Sequence, residues 1–437
     1  MKKLPYLICM IFLFSIGPKN ARATGDSPAA PPDTLPELIA QAYENSPPIR
    51  AAREQWRVAV EKYRVATAYP DPQLMITYFP EPIETRLGPQ DWNASLSQMI
   101  PFPGKLGKAG EIARADIRMA KVNMDMAVRE VTLSIRESYY ELLYIQQARE
   151  IAEKNAGLLE ELRKIGESAY AQDRTAFTDM VKAQAQTGQI RYDILLLEEL
   201  EQTEKTRLNG LLNRPPDSPL GKISPIPVLP IVYKIEELYR LAEANQDEIR
   251  MAGVRVEKTE AMMNMAAYQN LPDFRLGLFY AGIGDPDDAS AMPSPDAGDD
   301  AVGIQFGFNI PLWFGKNSSQ RAQARAESEK AKAMKEGQIN MARTRVHSLW
   351  FKLQNAKRLI TLYREEMLPQ SMQAVRTAET WFREGQGSFS DFAETQAAAY
   401  NFQLSLARAS ADYGKILAKL ERICGQSLTV KEVMSDG

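Results

Sequence analysis

Asp391 and Glu394 stand three residues apart, just after a glycine-containing turn (Phe382-Arg383-Glu384-Gly385-Gln386-Gly387-Ser388). That spacing puts both carboxylates on one helix face, one turn apart. Taken alone, the pattern is a solvated face with a cap at a helix start. A second acidic concentration lies in residues 283–300, which carry six aspartates and three prolines. Such a loop could hold calcium or bridge lipopolysaccharide through divalent ions, but its spacing matches no defined calcium loop, and a solvated acidic loop is the better reading. Methionines at 119, 124 and 126 and at 262, 263, 265 and 292 could suggest a soft-metal relay. Helix packing explains them better.

Catalytic chemistry finds little material. His347 is the only histidine, so neither a histidine metal cluster nor a histidine-based triad with a second histidine can form. Gly282-Ile283-Gly284 is a weak fragment in a loop, and no nucleophile elbow or phosphate loop occurs. The expectation is a protein that is not an enzyme and needs no cofactor or metal.

The first residues point to export. Lys2 and Lys3 precede an apolar run from Leu4 to Gly17, and Ala21-Arg22-Ala23 has the small-x-small pattern of a signal-peptide cleavage site. Residues 1–23 are read as a signal peptide. Cys9 lies too early in the run to be a lipoprotein cysteine, and Cys424 is then the only cysteine left, in apolar packing at a helix end. The net charge of −3 becomes −7 once Lys2, Lys3, Lys19 and Arg22 are removed, which argues against a nucleic-acid partner. No later stretch is apolar enough for a transmembrane helix.

The elements that must position these residues come in two copies. Leu38, Ala42, Asn45, Ile49 and Arg50 recur 200 positions later as Leu238, Ala242, Asn245, Ile249 and Arg250. Pro70-Asp71 recurs as Pro272-Asp273, Ile100-Pro101 with Gly104-Lys105 as Ile310-Pro311 with Gly315-Lys316, and Tyr170, Phe177, Asp179 and Gln184 as Phe382, Phe389, Asp391 and Gln396. The first repeat is placed at 24–213, with strands about 73–79 and 92–100 and a helical hairpin over 105–213. A proline-rich linker over 214–233 is expected to be extended and to lie on the surface. The second repeat is placed at 234–428, with strands about 274–280 and 302–310 and a hairpin over 316–424, and a tail at 429–437. Pro369 should kink or break the second long helix. Val302, Ile304, Phe306, Phe308 and Ile310 alternate with small or polar residues, a period-two strand pattern with one wholly apolar face. That face fits a sandwich core or a barrel facing lipid.

Four strands cannot close in a membrane, because open edges leave backbone groups unsatisfied in lipid. They belong either to a small soluble sheet or to a sheet pooled among copies of the chain. The long, thin hairpins also need side-by-side assembly to bury their stripes.

Over nearly the whole mature sequence the chain resembles the TolC-like outer-membrane efflux family. The likeness rests on the two-fold repeat, on the strand exits Ile100-Pro101-Phe102-Pro103-Gly104-Lys105 and Ile310-Pro311-Leu312, and on the tips around Tyr170 to Asp179 and Phe382 to Asp391. The resemblance implies a mainly α fold with a small β part. It also implies a homotrimer whose 12-stranded outer-membrane barrel continues into a long periplasmic helical barrel. By the same resemblance the partners are a periplasmic adaptor, an inner-membrane pump (of the heavy-metal and resistance-nodulation-division type) and outer-membrane lipid. Asp391, Glu394 and Asp179 would line a cation-concentrating periplasmic gate. Tyr170, Arg174, Thr175, Phe382, Gly385 and Ser388, expected on exposed turns, would dock the adaptor. The expected function is a passive exit duct for small toxic compounds or metal ions. The alternatives are a type I secretion duct for polypeptides and a soluble periplasmic coiled-coil scaffold.

Overall fold

The computed structural model describes residues 34–170, 177–285 and 295–429. Two short helices open each repeat: α1 (Leu35–Asn45) with α2 (Pro47–Thr67), and α5 (Ile235–Asn245) with α6 (Asp247–Tyr268). Both openings use one device. The Glu37 carboxylate accepts the Thr34 N–H at 3.0 Å, and Glu237 accepts the Lys234 N–H at 2.8 Å, satisfying donors that a helix start leaves free. Leu38 and Leu238, repeat equivalents, are both fully buried.

The strands β1 (Gln73–Thr85), β2 (Gly88–Ile100), β3 (Phe274–Ile283) and β4 (Ala301–Phe308) form one antiparallel sheet in chain order. The first pair is longer than its sequence pattern predicts. Residues 80–91, read as a loop, are the upper part of a tight hairpin. Pro80 and Pro82 are tolerated there because the β1–β2 register breaks between Tyr78 and Ile83, so no ladder position calls for their missing N–H groups.

Each strand pair feeds a long helix. α3 (Lys105–Tyr170) returns along α4 (Phe177–Leu211). In the second repeat α7 (Phe314–Thr361), a π-helical turn (Leu362–Met367) and α8 (Leu368–Arg383) lead to α9 (Phe389–Cys424). The break expected at Pro369 is thus a wide turn just ahead of it. Pro369 has no N–H to donate one turn back, and its ring crowds that carbonyl. The turn also marks a change of register between the repeats. Val131, Ile135, Leu142 and Ile145 correspond to Ala342, Val346, Leu353 and Ala356, 211 residues on, whereas Tyr170 and Phe382 are 212 apart. The extra residue is taken up in the π turn.

Side by side, the hairpins form a layer in the order α4, α3, α9, α7–α8. α3 and α9, one from each repeat, make the central seam. The seam is charged: Glu141 takes Arg408 at 3.0 Å and Lys415, Glu137 takes Lys419 at 2.7 Å, and Glu130 takes Arg422 at 2.9 Å. Tyr140 lies so close over Gly414 that a Cβ there would sit 2.3 Å from the ring. The linker does not simply lie on the surface. Ile223 is buried in the core, Tyr139 donates its hydroxyl to the Ser224 carbonyl at 2.8 Å, and Tyr413 donates to that of Leu229 at 2.7 Å. The segment straps both repeats together. Cys424 is fully buried at the end of α9, and burial pushes its thiol up to about 12.

Candidate duct surfaces: the sheet face and the helix tips

One face of the sheet is apolar and uncovered. Leu74, Leu96, Leu278 and Ile304 stand in one cross-strand row, as do Ile76, Ala94, Tyr280 and Val302. Leu74 and Ile76 are each 66% exposed, and Ile304 is 78% exposed. In water such a patch would be a large liability, whereas against hydrocarbon it is favourable. β1 and β4 are open edges within one chain. Among the described residues no helix is long and apolar enough to cross a membrane.

The second tip lies at the far end of the hairpins and is built by local rules. α8 stops at Arg383, and Gly385 adopts φ +72°, the left-handed conformation glycine takes at little cost. The Gln386 N–H then bonds back to the Trp381 carbonyl at 2.8 Å. Ser388 caps α9: its Oγ accepts the Asp391 N–H at 3.1 Å and donates to the Asp391 carboxylate at 2.8 Å. Asp391 also sits where the positive end of the helix favours a carboxylate. Asp391 and Glu394 are both exposed on the first turns of α9.

Beneath the turn Phe382, Phe389 and Phe392 pack as a wedge onto Leu159 and Leu162 of α3. The Phe382 and Phe389 rings meet edge to face at 5.7 Å. Phe382, expected on an exposed docking turn, is therefore corrected to a core residue, only 6% exposed. Its neighbour Trp381, 54% exposed, is the aromatic that faces outward. The α8 spacing of Ser371, Val375, Ala378 and Phe382 carried that signal, since it turns 382 inward and 381 outward. Trp381 lines a groove of about 530 Å³ between α8 and α9, together with Thr377, Ser388, Asp391 and Thr395. Gly385 is exposed and Ser388 half-buried.

The two tips touch. Arg383 pairs with Glu161 of α3 at 2.7 Å, and Lys182 of α4 donates to the Ser390 hydroxyl at 3.0 Å. Tyr170 closes α3 and Asp179 lies in the first turn of α4, with side chains outside the described set, while Arg174 and Thr175 lie outside the described residues altogether. Residues 286–294 of the acidic loop also lie outside them. The described residues hold no cluster of metal-ligating side chains. His347 is bonded to the Tyr239 hydroxyl at 3.0 Å.

A family model described as "Outer membrane efflux protein" matches residues 38–214 and 238–426, one stretch for each repeat. The chain belongs to the outer membrane efflux protein family. Its place is the outer membrane, with the helical part in the periplasm. Comparison with curated protein sequences gives no match. Among solved structures the chain is similar to the outer-membrane protein VceC of Vibrio cholerae, with a TM-score of 0.74 and 20% identity, over 90% of this chain and 96% of that one. It is similar to CusC, described for conformational changes in folding and transmembrane channel formation, with a TM-score of 0.75 and 15% identity, over 91% and 93%. It is also similar to the open state of the MtrE channel of Neisseria gonorrhoeae, with a TM-score of 0.71 and 16% identity, over 90% and 89%. At these identities the likeness shows the fold: a family member with tandem repeats, a small strand part and long hairpins.

Proposed function

We propose that this family member is a passive exit duct in the outer membrane, the last component of a tripartite efflux system. The observation that carries the reading is the uncovered apolar sheet face with two open edges, standing on a layer of long hairpins. Three copies would pool twelve strands, enough to close a barrel, and twelve helices for the periplasmic duct. Such a duct catalyses no reaction, and the energy for export comes from an inner-membrane pump of the resistance-nodulation-division type. Its cargo is small toxic compounds or metal ions.

The mouth is the tip end. Asp391 and Glu394, one copy per chain, would form carboxylate rings there, with Asp179 beside them. A periplasmic adaptor's helical hairpin docks at the tips, meeting Trp381, Gly385 and Ser388 along the α8–α9 groove, and Tyr170, Arg174 and Thr175 on the first tip. Opening is a shift of the tips biased by adaptor binding.

Deleting the gene and complementing it in trans tests this reading. A rise in cellular accumulation of dyes, drugs or metal ions, reversed by the complementing copy, is the expected result. Unchanged accumulation together with loss of a polypeptide from the medium would replace it with a secretion duct. Quantitative recovery of the protein in the soluble periplasmic fraction would replace it with a scaffold.

A further inference from the structure

The sheet face opposite the apolar one carries a single charge within its unbroken ladder. That ladder takes in residues 73–78, 92–100, 274–282 and 301–308, and Arg275 is the only charged side chain along it. Arg275 alternates with Phe274 and Leu276, which share the side of Leu278 and Tyr280, so it stands on the other side of the pleat. There it shares a cross-strand row with Met99 and Gly307. The next rows on that side are Ser97, Gly277 and Gln305, then Ser95, Phe279 and Gly303. Gly307 puts only backbone beside it: even a Cβ built there would stay 4.0 Å from the Arg275 Cβ.

No carboxylate among the described residues neutralises this charge. Arg275 is exposed and has neither an ion-pair nor a hydrogen-bond partner there. Asp273, just ahead of β3, is committed elsewhere: one of its oxygens accepts the Lys105 ammonium at 2.8 Å and the Phe102 N–H at 2.9 Å. Asp71, just ahead of β1, is on the far side of β2, exposed, and makes no ion pair with Arg275. The strand itself does not demand a charge at this place. Pro70-Asp71 and Pro272-Asp273 are repeat equivalents, so the first-repeat counterpart of Arg275 is the neutral Gln73. An unpaired guanidinium keeps all five of its N–H donors free. On a soluble surface it would simply be solvated, whereas inside a closed barrel with an otherwise neutral wall it sets the local field.

We propose that Arg275 is a specificity-determining residue of the barrel: one copy per chain forms a girdle of guanidinium groups in the lumen that takes up the carboxylate or phosphate groups of anionic solutes. The proposal rests on the duct reading above, since it needs the apolar face turned to lipid and the Arg275 face turned to the lumen. Arg275 is the second residue of β3, which enters the sheet from α6, so the girdle sits at the base of the barrel, on the periplasmic side. The guanidinium fork matches a carboxylate or phosphate with two parallel hydrogen bonds. The small neighbours leave an anion room to approach, and Ser97 and Gln305 in the adjoining row offer neutral donors. Polarity then reverses along the duct, with carboxylates at the tips and guanidinium groups at the barrel base. Rings of basic side chains are how pores favour anions and phosphates.

The test is planar-bilayer conductance of the mature full chain carrying Asp391→Asn/Glu394→Gln, so that the mouth no longer masks the barrel, with and without Arg275→Gln. That substitution copies the residue repeat one holds at the same place, and the conductance steps themselves report a folded channel. With Arg275 present, a KCl gradient near about 0.1 M should give a reversal potential that favours chloride, and the preference should fade near about 1 M, where screening shortens to about 3 Å. Citrate and inorganic phosphate should each interrupt the current in a concentration-dependent way. Arg275→Gln should abolish the chloride preference and weaken both blocks several-fold. Arg275→Lys should keep the preference and weaken the blocks, because an ammonium has no fork. Steps whose selectivity and block ignore Arg275→Gln overturn this inference and leave the duct standing. Folded, oligomeric protein that gives no steps at all overturns both.

Discussion

The two hairpins share a backbone plan and differ in what holds them together. In the first, the α3–α4 contact encloses ions. Glu201 is only 5% exposed and takes Lys205 at 2.8 Å, Arg149 at 3.1 Å and a hydrogen bond from Gln146 at 3.1 Å. Ser138, fully buried, donates to Glu204 at 2.6 Å. At the equivalent positions the second hairpin has Tyr413 for Glu201, Leu417 for Lys205, Ile360 for Arg149, Leu349 for Ser138 and Ile416 for Glu204. One fold thus tolerates a polar and an apolar filling of the same space. The difference teaches that the apolar hairpin draws on burial, which does not titrate, whereas the polar one depends on protonation and on every partner being present.

The largest effect should be blind to this difference. Leu142 and Leu353 are equivalent and almost wholly buried, so Leu142→Ala and Leu353→Ala should each cost about 2–5 kcal/mol. Thermal unfolding in detergent should give similar losses, and a much smaller loss in one hairpin would mean that the two cores are not equivalent. Glu201→Ala should come next, at about 1–3 kcal/mol. It strands Arg149 and Lys205, whose partial exposure lets water recover part of the cost. Exchange of α4 amides should rise well before that of α9.

Acid sharpens the contrast further. Burial alone would raise the Glu201 carboxyl, but the Lys205 and Gln146 hydrogen bonds and the Lys205 and Arg149 charges hold it below the usual carboxylate range. Its contribution is therefore present above that range and is lost as the pH falls through the lowered value. Mild acid should loosen the α3–α4 contact first, read as exchange of α4 amides at pH 3 against pH 7, and equal loosening of α7, whose contact with α9 is apolar, would break the comparison. The smallest effect should be at the tip. Ser388→Ala removes the α9 cap and the hydroxyl held by Asp391, costing about 1 kcal/mol and confined to exchange in the first turn of α9.

Much of this was legible in the sequence, for physical reasons. The repeat and the apolar sheet face could be read because strand alternation has period two and because Leu38 and Leu238 do the same job. The upper half of the first strand pair could not, since Pro80 and Pro82 mimic a loop unless one knows that the pairing breaks across them and resumes at Ile83. Gly385 and Ser388 announced a turn and a cap, and the structure supplies both. The inward turn of Phe382 was hidden by reading the tip as a turn instead of following the α8 stripe into it. The linker's prolines indicated extended chain but not that Ile223 would be buried beneath it.

The most direct measurement is single-channel conductance of the purified mature protein in a planar bilayer, beside Asp391→Asn/Glu394→Gln. The account predicts small, cation-selective steps whose selectivity is lost in the double variant. Steps unchanged by the substitutions would leave the duct and remove these residues from its mouth. Protein shown to be folded and oligomeric that gives no steps at all would contradict the duct itself.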